Sequence, residues 1–329
     1  MAMRKAKEAK IGGKFLSYGE TGSGKSLFAL TFPDVACIDS EAGIAHYEGK
    51  DITLNNGNTY NNLKLVDNTS DLDELEDDLD AFMDGEYDNE IRTLSIDSET
   101  KFYGTMQVAA QETEEKRARK KGGNVDDANI SQRSWGKIKI INLKLQQLKI
   151  DLSTKGIHVI SIAQEAEIKN DDNKVIGNKP DMHKSVKFDY DTILRHYSVF
   201  NKTTGETQYF AEVLKDRTNV TKKGQIIENP CYDIWKEYYE GKSKLEANET
   251  NYNKDIKTST ENMETDGEKA EKLVTEWKDM LVALKKAGNL DAINEVNNFI
   301  KSNNWDISKL DLVSSKDLTE LVKLTKSFL

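Results

Sequence analysis

The sequence predicts an α/β fold with a mainly parallel central sheet, an antiparallel hairpin at one sheet edge and a small C-terminal helical module. Three observations support this prediction. Apolar, strand-like runs alternate with helical stretches over the first part of the chain, which is typical of βαβ units. Two further β-rich runs flank a polar turn. After a polar segment, apolar residues recur with helical periodicity.

The parallel sheet is predicted from four buried-strand candidates. They cover residues 14–18, 35–39, 91–97 and 158–164. The clearest helix lies just before the last of them, over residues 131–152. Its apolar residues recur at three- and four-residue steps: Ile138, Ile141, Leu145, Leu148 and Leu152. We therefore expect this helix to pack against the sheet.

The antiparallel edge is predicted from residues 193–200 and 207–214. Both runs are rich in β-branched and aromatic residues, and the short segment between them is polar. This pattern indicates a hairpin that extends the sheet. We assign residues 1–240 to the resulting core.

The rest of the chain differs in composition from the core. Residues 241–267 are poor in apolar groups and rich in Asn, Thr, Glu and Lys, which predicts a flexible linker. Three amphipathic stripes follow within residues 268–329: Leu273, Trp277, Leu281 and Leu284; Ile293, Val296 and Ile300; and Leu318, Leu321, Val322 and Leu324. They predict a small helical interaction module, because this part offers no cluster of His, Cys or paired carboxylates for catalysis.

Composition excludes several classes of protein. The 329 residues carry a net charge of −10, so bulk charge cannot drive nucleic-acid binding, and any such contact must use local basic segments. No apolar run approaches the roughly 18 to 20 residues that cross a bilayer, and the first residues lack the apolar stretch of a signal peptide. We expect a cytoplasmic protein.

Cysteine and tryptophan residues give no sign of a further site. Cys37 and Cys231 lack the spacing of a disulfide framework or of a cysteine zinc site. Trp135 and Trp277 lie on predicted helices, where we expect them to pack in the interior rather than to stack on bases.

The most informative motif is the P-loop pattern G-x-x-x-x-G-K-[ST], which Gly19 to Ser26 match. Its glycines allow a tight turn whose N–H groups point inward toward phosphate, while Lys25 reaches the outer phosphates and Ser26 offers a hydroxyl to Mg²⁺. A strand-like run precedes the motif and an apolar helix start follows it, as a P-loop requires. The predicted nucleotide-contacting residues are Gly19, Glu20, Thr21, Gly22, Ser23, Gly24, Lys25, Ser26 and Leu27. The sequence thus predicts a site for ATP and Mg²⁺.

Acidic residues follow two of the predicted strands. Asp97 ends an apolar run and occupies the position of a Walker B aspartate, which with Ser26 would hold Mg²⁺. The second strand ends in Asp39, and Glu41 follows two residues later. Hydrolysis of a phosphoanhydride needs a group that orients or deprotonates the attacking water, and Glu41 is the better candidate.

Together these motifs resemble the core of the RecA/RadA recombinase family, a RecA-like P-loop NTPase fold. The resemblance rests on Asp-x-Glu after the second strand, Asp-Ser after the Walker B strand and Gln164 at the end of the next strand. It implies that Glu41 activates water, that Asp97 is the Walker B residue, and that Gln164 senses the γ-phosphate and leads into a DNA-binding loop. Length and the later Lys215-Asp216-Arg217 are similar to the short phage RecA-like recombinases of the Sak-four group.

Lys215 and Arg217 would complete the site in an assembly. Two cations separated by one residue on a strand share a face. In RecA-like rings and filaments a similar basic pair reaches the nucleotide of the neighbouring subunit. The resemblance, which covers about residues 10–240, therefore implies a homo-oligomer whose ATP site needs two subunits. A solvated strand end is the alternative interpretation of the pair.

Two basic segments are candidates for contact with single-stranded DNA. The first, 111–130, is predicted to be a mobile loop and carries Lys116, Arg117, Arg119, Lys120 and Lys121. The second, 165–188, follows Gln164 and includes Lys169 and Lys174. Basic groups on flexible loops neutralise phosphates without reading sequence. Each segment alone could equally be a solvated face.

The leading hypothesis is a Mg²⁺-dependent, DNA-stimulated ATPase that promotes annealing or strand exchange in phage homologous recombination, in the host bacterial cytoplasm. One alternative is a P-loop nucleotide or small-molecule kinase. Such a kinase usually needs an Arg-rich lid, for which the basic run over residues 116–121 could be mistaken, but the acidic residues after the second strand and Gln164 argue against it. Another is a nucleotide-switched loader that recruits a DNA-binding partner, such as a single-strand-binding protein, through residues 268–329. ATP turnover that rises with single-stranded DNA, without a phosphorylated product, separates the first hypothesis from the kinase.

Overall fold

The computed structural model describes residue 3 and residues 5–184 and 186–329. Expectations about the start of the chain therefore fall partly on Met1, Ala2 and Arg4, which lie outside the described residues, and so does Ser185 of the segment 165–188. The chain divides into two compact units, one up to Tyr252 and one from Asn253 to Leu329. Among the described residues, none of the helices has the length and apolar character needed to cross a membrane.

The first unit is an α/β structure. Its strands are β1 (Lys14–Gly19), β2 (Val35–Asp39), β3 (Ile52–Thr53), β4 (Thr59–Tyr60), β5 (Leu63–Asp67), β6 (Thr93–Asp97), β7 (His158–Lys169), β8 (Val175–Pro180), β9 (Thr192–Asn201), β10 (Glu206–Asp216) and β11 (Ile226–Glu228). Its helices are α1 (Lys25–Leu30), α2 (Leu72–Asp84), α3 (Glu99–Lys120), α4 (Gln132–Lys155) and α5 (Asp233–Glu240). The four predicted strands and the predicted long helix are all present.

The main sheet has the strand order β11-β10-β9-β1-β7-β6-β2-β5. The strands from β9 to β5 are parallel, whereas β10 and β11 run antiparallel at the edge. The strand β8 pairs with the outer end of β7 and forms a second hairpin. This mainly parallel sheet with an antiparallel edge confirms the predicted RecA-like P-loop fold.

The central strand β1 is buried on both faces, because apolar clusters cover each side of the sheet. On one face, Phe15 lies against Phe32 and Trp235, with ring centroids 4.9 and 5.4 Å apart. On the other face, Leu16 and Tyr18 of β1 pack with Ala163 and Tyr190, and helices α2, α3 and α4 cover the neighbouring strands. Burial on both faces is typical of parallel sheets. It fixes the end of β1, where the P-loop begins.

Several features differ from the sequence prediction. The strand β5 has no counterpart in it, because its residues are only half-buried and do not form an apolar run. The predicted mobile loop over 111–130 is helical up to Lys120, since this part is rich in Glu, Lys and Arg, which favour helices. The segment 165–188 is mostly a β-hairpin rather than a loop. The predicted linker over 241–267 contains a helix, α6 (Tyr252–Met263).

The second unit is helical. It contains α7 (Asp266–Lys286), α8 (Leu290–Ser302), α9 (Ser315–Lys326) and a short 3-10 helix over Ile307–Leu312. The three stripes predicted from the sequence supply most of its core, which includes Val274, Trp277, Val296, Ile300, Leu318, Leu321 and Val322. A capping box between Thr265 and Glu268 fixes the start of α7.

Two histidines of the first unit are completely buried, and burial lowers the pKa of both to about 3. The Nδ1 atom of His158 accepts a hydrogen bond from the Gly13 N–H at 3.0 Å, so its Nε2 carries the proton and faces the Tyr232 hydroxyl at 3.3 Å. His196 lies beneath the P-loop beside Phe28, with ring centroids 5.3 Å apart. Neither ring nitrogen of His196 hydrogen-bonds to any residue that the structure describes.

We predict that His196→Phe makes the first unit less sensitive to acid. A histidine with a pKa near 3 when folded and about 6.5 when unfolded takes up its proton mainly on unfolding, so its contribution to stability is lost as pH falls below 6.5. Between pH 7.5 and 5.0 this loss is about 2 kcal/mol for one histidine. Urea unfolding at both pH values should show a correspondingly smaller fall for the variant than for the wild type.

A His46→Phe variant, which removes an exposed histidine, controls for the change in composition. Equal falls in the free energy of unfolding for His196→Phe and the wild type would contradict the prediction.

Candidate nucleotide site

The P-loop joins β1 to α1 at the carboxyl end of the sheet, and its glycines are required by close approaches of the backbone. A Cβ atom on Gly19 would lie 2.1 Å from the carbonyl oxygen of His196. Gly24 has φ +86°, and a Cβ there would lie 2.9 Å from the ring of Tyr209. Only glycine fits both positions without strain. The sequence pattern therefore has a steric basis in this fold.

The Lys25 ammonium folds back over the loop. Its Nζ donates to the carbonyl oxygens of Glu20, at 2.7 Å, and Gly19, at 3.1 Å. Burial lowers the pKa of Lys25, and the nearby carboxylates of Asp97 and Glu41 partly oppose that shift. The cation is thus partly withdrawn from water beside an anion-binding loop. A phosphate placed there would gain a strong charge-assisted hydrogen bond.

Ser26 and Asp97, the two predicted magnesium ligands, lie together. The Ser26 hydroxyl donates to the Asp97 carboxylate at 2.6 Å. Burial raises the pKa of Asp97 to about 6, with the hydrogen bond from Ser26 acting in the opposite direction. A hydroxyl and a carboxylate beside a phosphate-binding loop are donors that Mg²⁺ accepts, so this pair fits the ion. Elsewhere, no group of three or more His, Cys, Asp or Glu among the described residues could hold a metal.

Glu41 is held in place by the turn that follows β2. Both oxygens of the buried Asp39 carboxylate accept backbone N–H groups, from Glu41 at 3.0 Å and from Ile44 at 2.8 Å. The N–H of Ser40 donates to the carbonyl of Asp97 at 2.6 Å and ties this turn to the end of β6. The Asp-x-Glu pattern therefore has a local role, because Asp39 shapes the turn that presents Glu41.

Gln164 connects this turn to the β7–β8 hairpin. Its Nε2 donates to the Glu41 carboxylate at 2.9 Å, and the Ser98 hydroxyl donates to the same oxygen at 2.7 Å. Its backbone N–H donates to the Thr100 hydroxyl at 2.9 Å, which in turn donates to the Asp181 carbonyl at 2.7 Å. Glu41 and the hairpin are therefore joined through one residue.

Two tyrosines that the sequence prediction lacks also belong to the site. A cavity of about 190 Å³ is lined by P-loop residues from Gly22 to Leu27 together with Tyr47 and Tyr209. Tyr209 comes from β10 and Tyr47 follows the turn that carries Glu41. Neither belongs to a motif, so only the folded chain reveals them.

Lys215 and Arg217 lie away from the P-loop of their own chain. Lys215 pairs with Ile193 of β9, near the start of β1, whereas the P-loop leaves the opposite end of β1. Both cations contact the carbonyl of Phe188, so they do lie side by side, and Arg217 also pairs with Asp191 at 3.3 Å. A role at a neighbouring subunit's nucleotide remains a prediction.

The predicted DNA-binding residues do not lie in the nucleotide site. Lys116, Arg117, Arg119, Lys120 and Lys121 lie on the last turns and the C-cap of α3. That position is about 26 Å along the helix from Glu99, at 1.5 Å per residue. Lys169 ends β7, where it pairs with Glu167 at 3.1 Å, and Lys174 lies in the turn before β8. The two segments are thus elements of regular structure that extend from the sheet.

A family model and a solved structure both show similarity to this chain. The sequence model of the AAA_24 family, described as an AAA domain, matches residues 12–223, which is more than half of the chain. Among solved structures, the chain is similar to the flagellar accessory protein FlaH from Methanocaldococcus jannaschii, with 12% identity and a TM-score of 0.37. That similarity covers 67% of this chain and 85% of FlaH. No curated protein matches the sequence.

We predict that Tyr209→Ala lowers the affinity for ATP about tenfold, which corresponds to ~1.4 kcal/mol, because one aromatic wall of the cavity is lost. Tyr209→Phe should retain most of the affinity, since it keeps the ring. Titration with a fluorescent ATP analogue in the presence of Mg²⁺ measures both. Phe200→Ala, which removes an exposed ring from the same hairpin, is the matched control. Wild-type affinity in Tyr209→Ala would exclude the tyrosine from the site.

Proposed function

The chain belongs to the AAA_24 family of AAA domains, and we propose that it is a Mg²⁺-dependent ATPase that acts on single-stranded DNA. The proposal rests mainly on the contact between Gln164 and Glu41 beside the P-loop. A carboxylate that can reach the attacking water is here bound to an amide at the root of a hairpin with exposed cations. Such a connection would couple ATP hydrolysis to the binding of nucleic acid at the hairpin.

In the proposed reaction, the P-loop and Lys25 bind the phosphates, and Ser26 and Asp97 would hold Mg²⁺, which supplies charge neutralisation at the phosphates. Water attacks the γ-phosphorus, the bond between that phosphorus and the bridging oxygen breaks, and Glu41 accepts the proton from the water. The products are ADP and inorganic phosphate. Lys25 stabilises the negative charge that accumulates on the leaving group.

Gln164 would communicate the nucleotide state to the rest of the molecule. A γ-phosphate offers its amide group a charged acceptor that competes with Glu41. If the Gln164 amide left Glu41 for the γ-phosphate, Glu41 would be free to contact the water. The backbone of Gln164 would move with its side chain, and so would Thr100 and Asp181, which are hydrogen-bonded to that backbone. The β7–β8 hairpin, with Lys169 and Lys174, would follow. This is a two-state arrangement in which nucleotide and DNA influence one another.

The remaining parts of the proposal concern assembly and process. The position of Lys215 and Arg217, remote from the P-loop of the same chain, favours a role at the nucleotide of a neighbouring subunit. Resemblance to the short phage recombinases supports annealing or strand exchange as the process. The second unit would then bind a partner such as a single-strand-binding protein.

The position of the basic run over residues 116–121 does not favour the kinase hypothesis. That hypothesis requires a basic lid over the transferred phosphoryl group, for which the run over residues 116–121 is the candidate. These residues end a 22-residue helix, and Lys116, the first of them, lies about 26 Å along it from Glu99, which follows Asp97 and Ser98. A rigid helix of that length does not place its far end over the phosphates.

Lys25→Ala and Glu41→Gln should both abolish ATP turnover but should differ in binding. Lys25→Ala removes the phosphate contact, so ATP binding is lost as well. Glu41→Gln keeps a side chain of the same size but removes the base, so binding persists while turnover falls about 10²- to 10⁴-fold. Phosphate release with and without oligo-dT, and equilibrium binding of ATP, measure these effects. Wild-type turnover should rise with oligo-dT.

The exposed Glu48→Gln is the matched control for loss of one carboxylate near the site. Undiminished turnover in Glu41→Gln would remove Glu41 as the base. A wild-type protein that neither binds oligo-dT nor changes its turnover would refute the role on single-stranded DNA.

A further inference from the structure

Trp135 is exposed, which contradicts the prediction that it packs in the interior. It lies in the first turn of α4 and is 43% exposed. The other tryptophan with the same prediction, Trp277, is 3% exposed, and Trp235 is fully buried. An exposed tryptophan ring is costly in water, so a tryptophan on a helix surface often marks a contact with another molecule.

The exposed ring is part of a stripe along α4. Trp135, Lys139 and Leu143 recur at steps of four residues and are all exposed, so they share one helix face. The adjacent face is the one that packs on α3, where the Ser134 hydroxyl donates to Glu114 at 2.6 Å and Ile138 is buried. The stripe therefore lies on a side of α4 that the neighbouring helices do not cover.

The segment that follows β8 adds positive charge next to this stripe. The ring of His183 lies against Tyr103 of α3, with centroids 6.1 Å apart. Burial lowers the pKa of His183, and the positive charges of Lys184 and Lys139 lower it further, so both ammonium groups lie near that imidazole. Lys139 and Lys184 are both exposed. Two exposed cations, one of them on the same helix face as Trp135, thus lie near one imidazole on the surface of a protein whose net charge is −10.

The Lys184 end of this surface is linked to the nucleotide site. Asp181, two residues before His183, accepts a hydrogen bond from Thr100 and donates its N–H to the carbonyl of Gln164 at 2.8 Å. Gln164 in turn contacts Glu41. Lys184, three residues after Asp181, is therefore close along the chain to the residues that contact Gln164, whereas Trp135 lies beside Glu114, about 22 Å along α3 from Glu99.

We propose that Trp135 is a stacking platform for an unpaired base of single-stranded DNA, and that Lys139 and Lys184 hold the flanking phosphates. The inference rests on the proposed function and names the surface that binds the strand. An indole face accepts any base that has left a duplex, whereas paired bases are already stacked and hidden. The cations complement a phosphate backbone, which distinguishes this occupant from an apolar protein segment.

The test uses the full-length chain and oligo-dT. In Trp135→Ala, the dissociation constant measured by anisotropy of a labelled oligo-dT should rise between about 5- and 150-fold, as expected for loss of one stacked base. Trp135→Phe should show a smaller rise. Trp305→Phe in the second unit is the matched control and should bind like the wild type. Thermal unfolding verifies that each variant is folded.

The salt dependence separates the two kinds of contact. Lys139→Ala should reduce the slope of log affinity against log salt by about 0.7, the value for one phosphate on a single strand, whereas Trp135→Ala should leave the slope unchanged. Oligo-dT should also quench the emission of the wild-type protein but not that of Trp135→Phe, because the other described tryptophans are packed within the two units.

Two outcomes would overturn the inference while leaving the proposed function intact. One is that the wild type binds oligo-dT and that Trp135→Ala binds it with the same dissociation constant. The other is emission from Trp135 that changes with protein concentration and not with oligo-dT, which would assign this surface to a second copy of the chain. Absence of any oligo-dT binding by the wild type would instead refute the proposed function itself.

Discussion

The pairing of four parallel strands is the constraint on which the candidate site depends. The register aligns Gly19 of β1 with Gln164 of β7, and Asp97 of β6 with Asp39 of β2. Because these strands are parallel, their carboxyl ends meet at one edge, and four short sequence motifs that are distant along the chain converge there. A shift of one residue in any of these strands would turn all of its side chains to the opposite face of the sheet and disperse the site.

Motifs with a local physical cause could be predicted from the sequence, and features set by packing could not. The P-loop, Asp97 and Glu41 follow strand ends, and both the apolar run and the polar turn after it are visible in the sequence. Tyr209 reaches the P-loop only because β10 folds back along β9, which no local pattern encodes. The exposure of Trp135 is likewise a property of what α4 packs against. The helical periodicity of the sequence predicted that α4 is a helix, but it did not predict which face of α4 stays exposed.

Gln164 connects the proposed hydrolysis site with the proposed DNA-binding segment, because its side chain and its backbone have different partners. The side chain holds Glu41, and the backbone holds Thr100 and Asp181. Movement of the amide toward a phosphate would therefore shift the segment after β8, which carries Lys184. The short distance between these contacts makes a long chain of intermediate residues unnecessary for the coupling.

If Lys215 and Arg217 contact the nucleotide of a neighbouring subunit, their position in the sheet determines how the two subunits must be oriented. The P-loop leaves β1 at one end, while the basic pair lies beside residues that pair with the start of β1. One subunit cannot bring both to the same phosphate without rebuilding β10. A shared site therefore joins different surfaces of two subunits, which is a head-to-tail contact. Such contacts close into a ring or continue as a filament according to the rotation between neighbours, so the same site chemistry is compatible with either assembly.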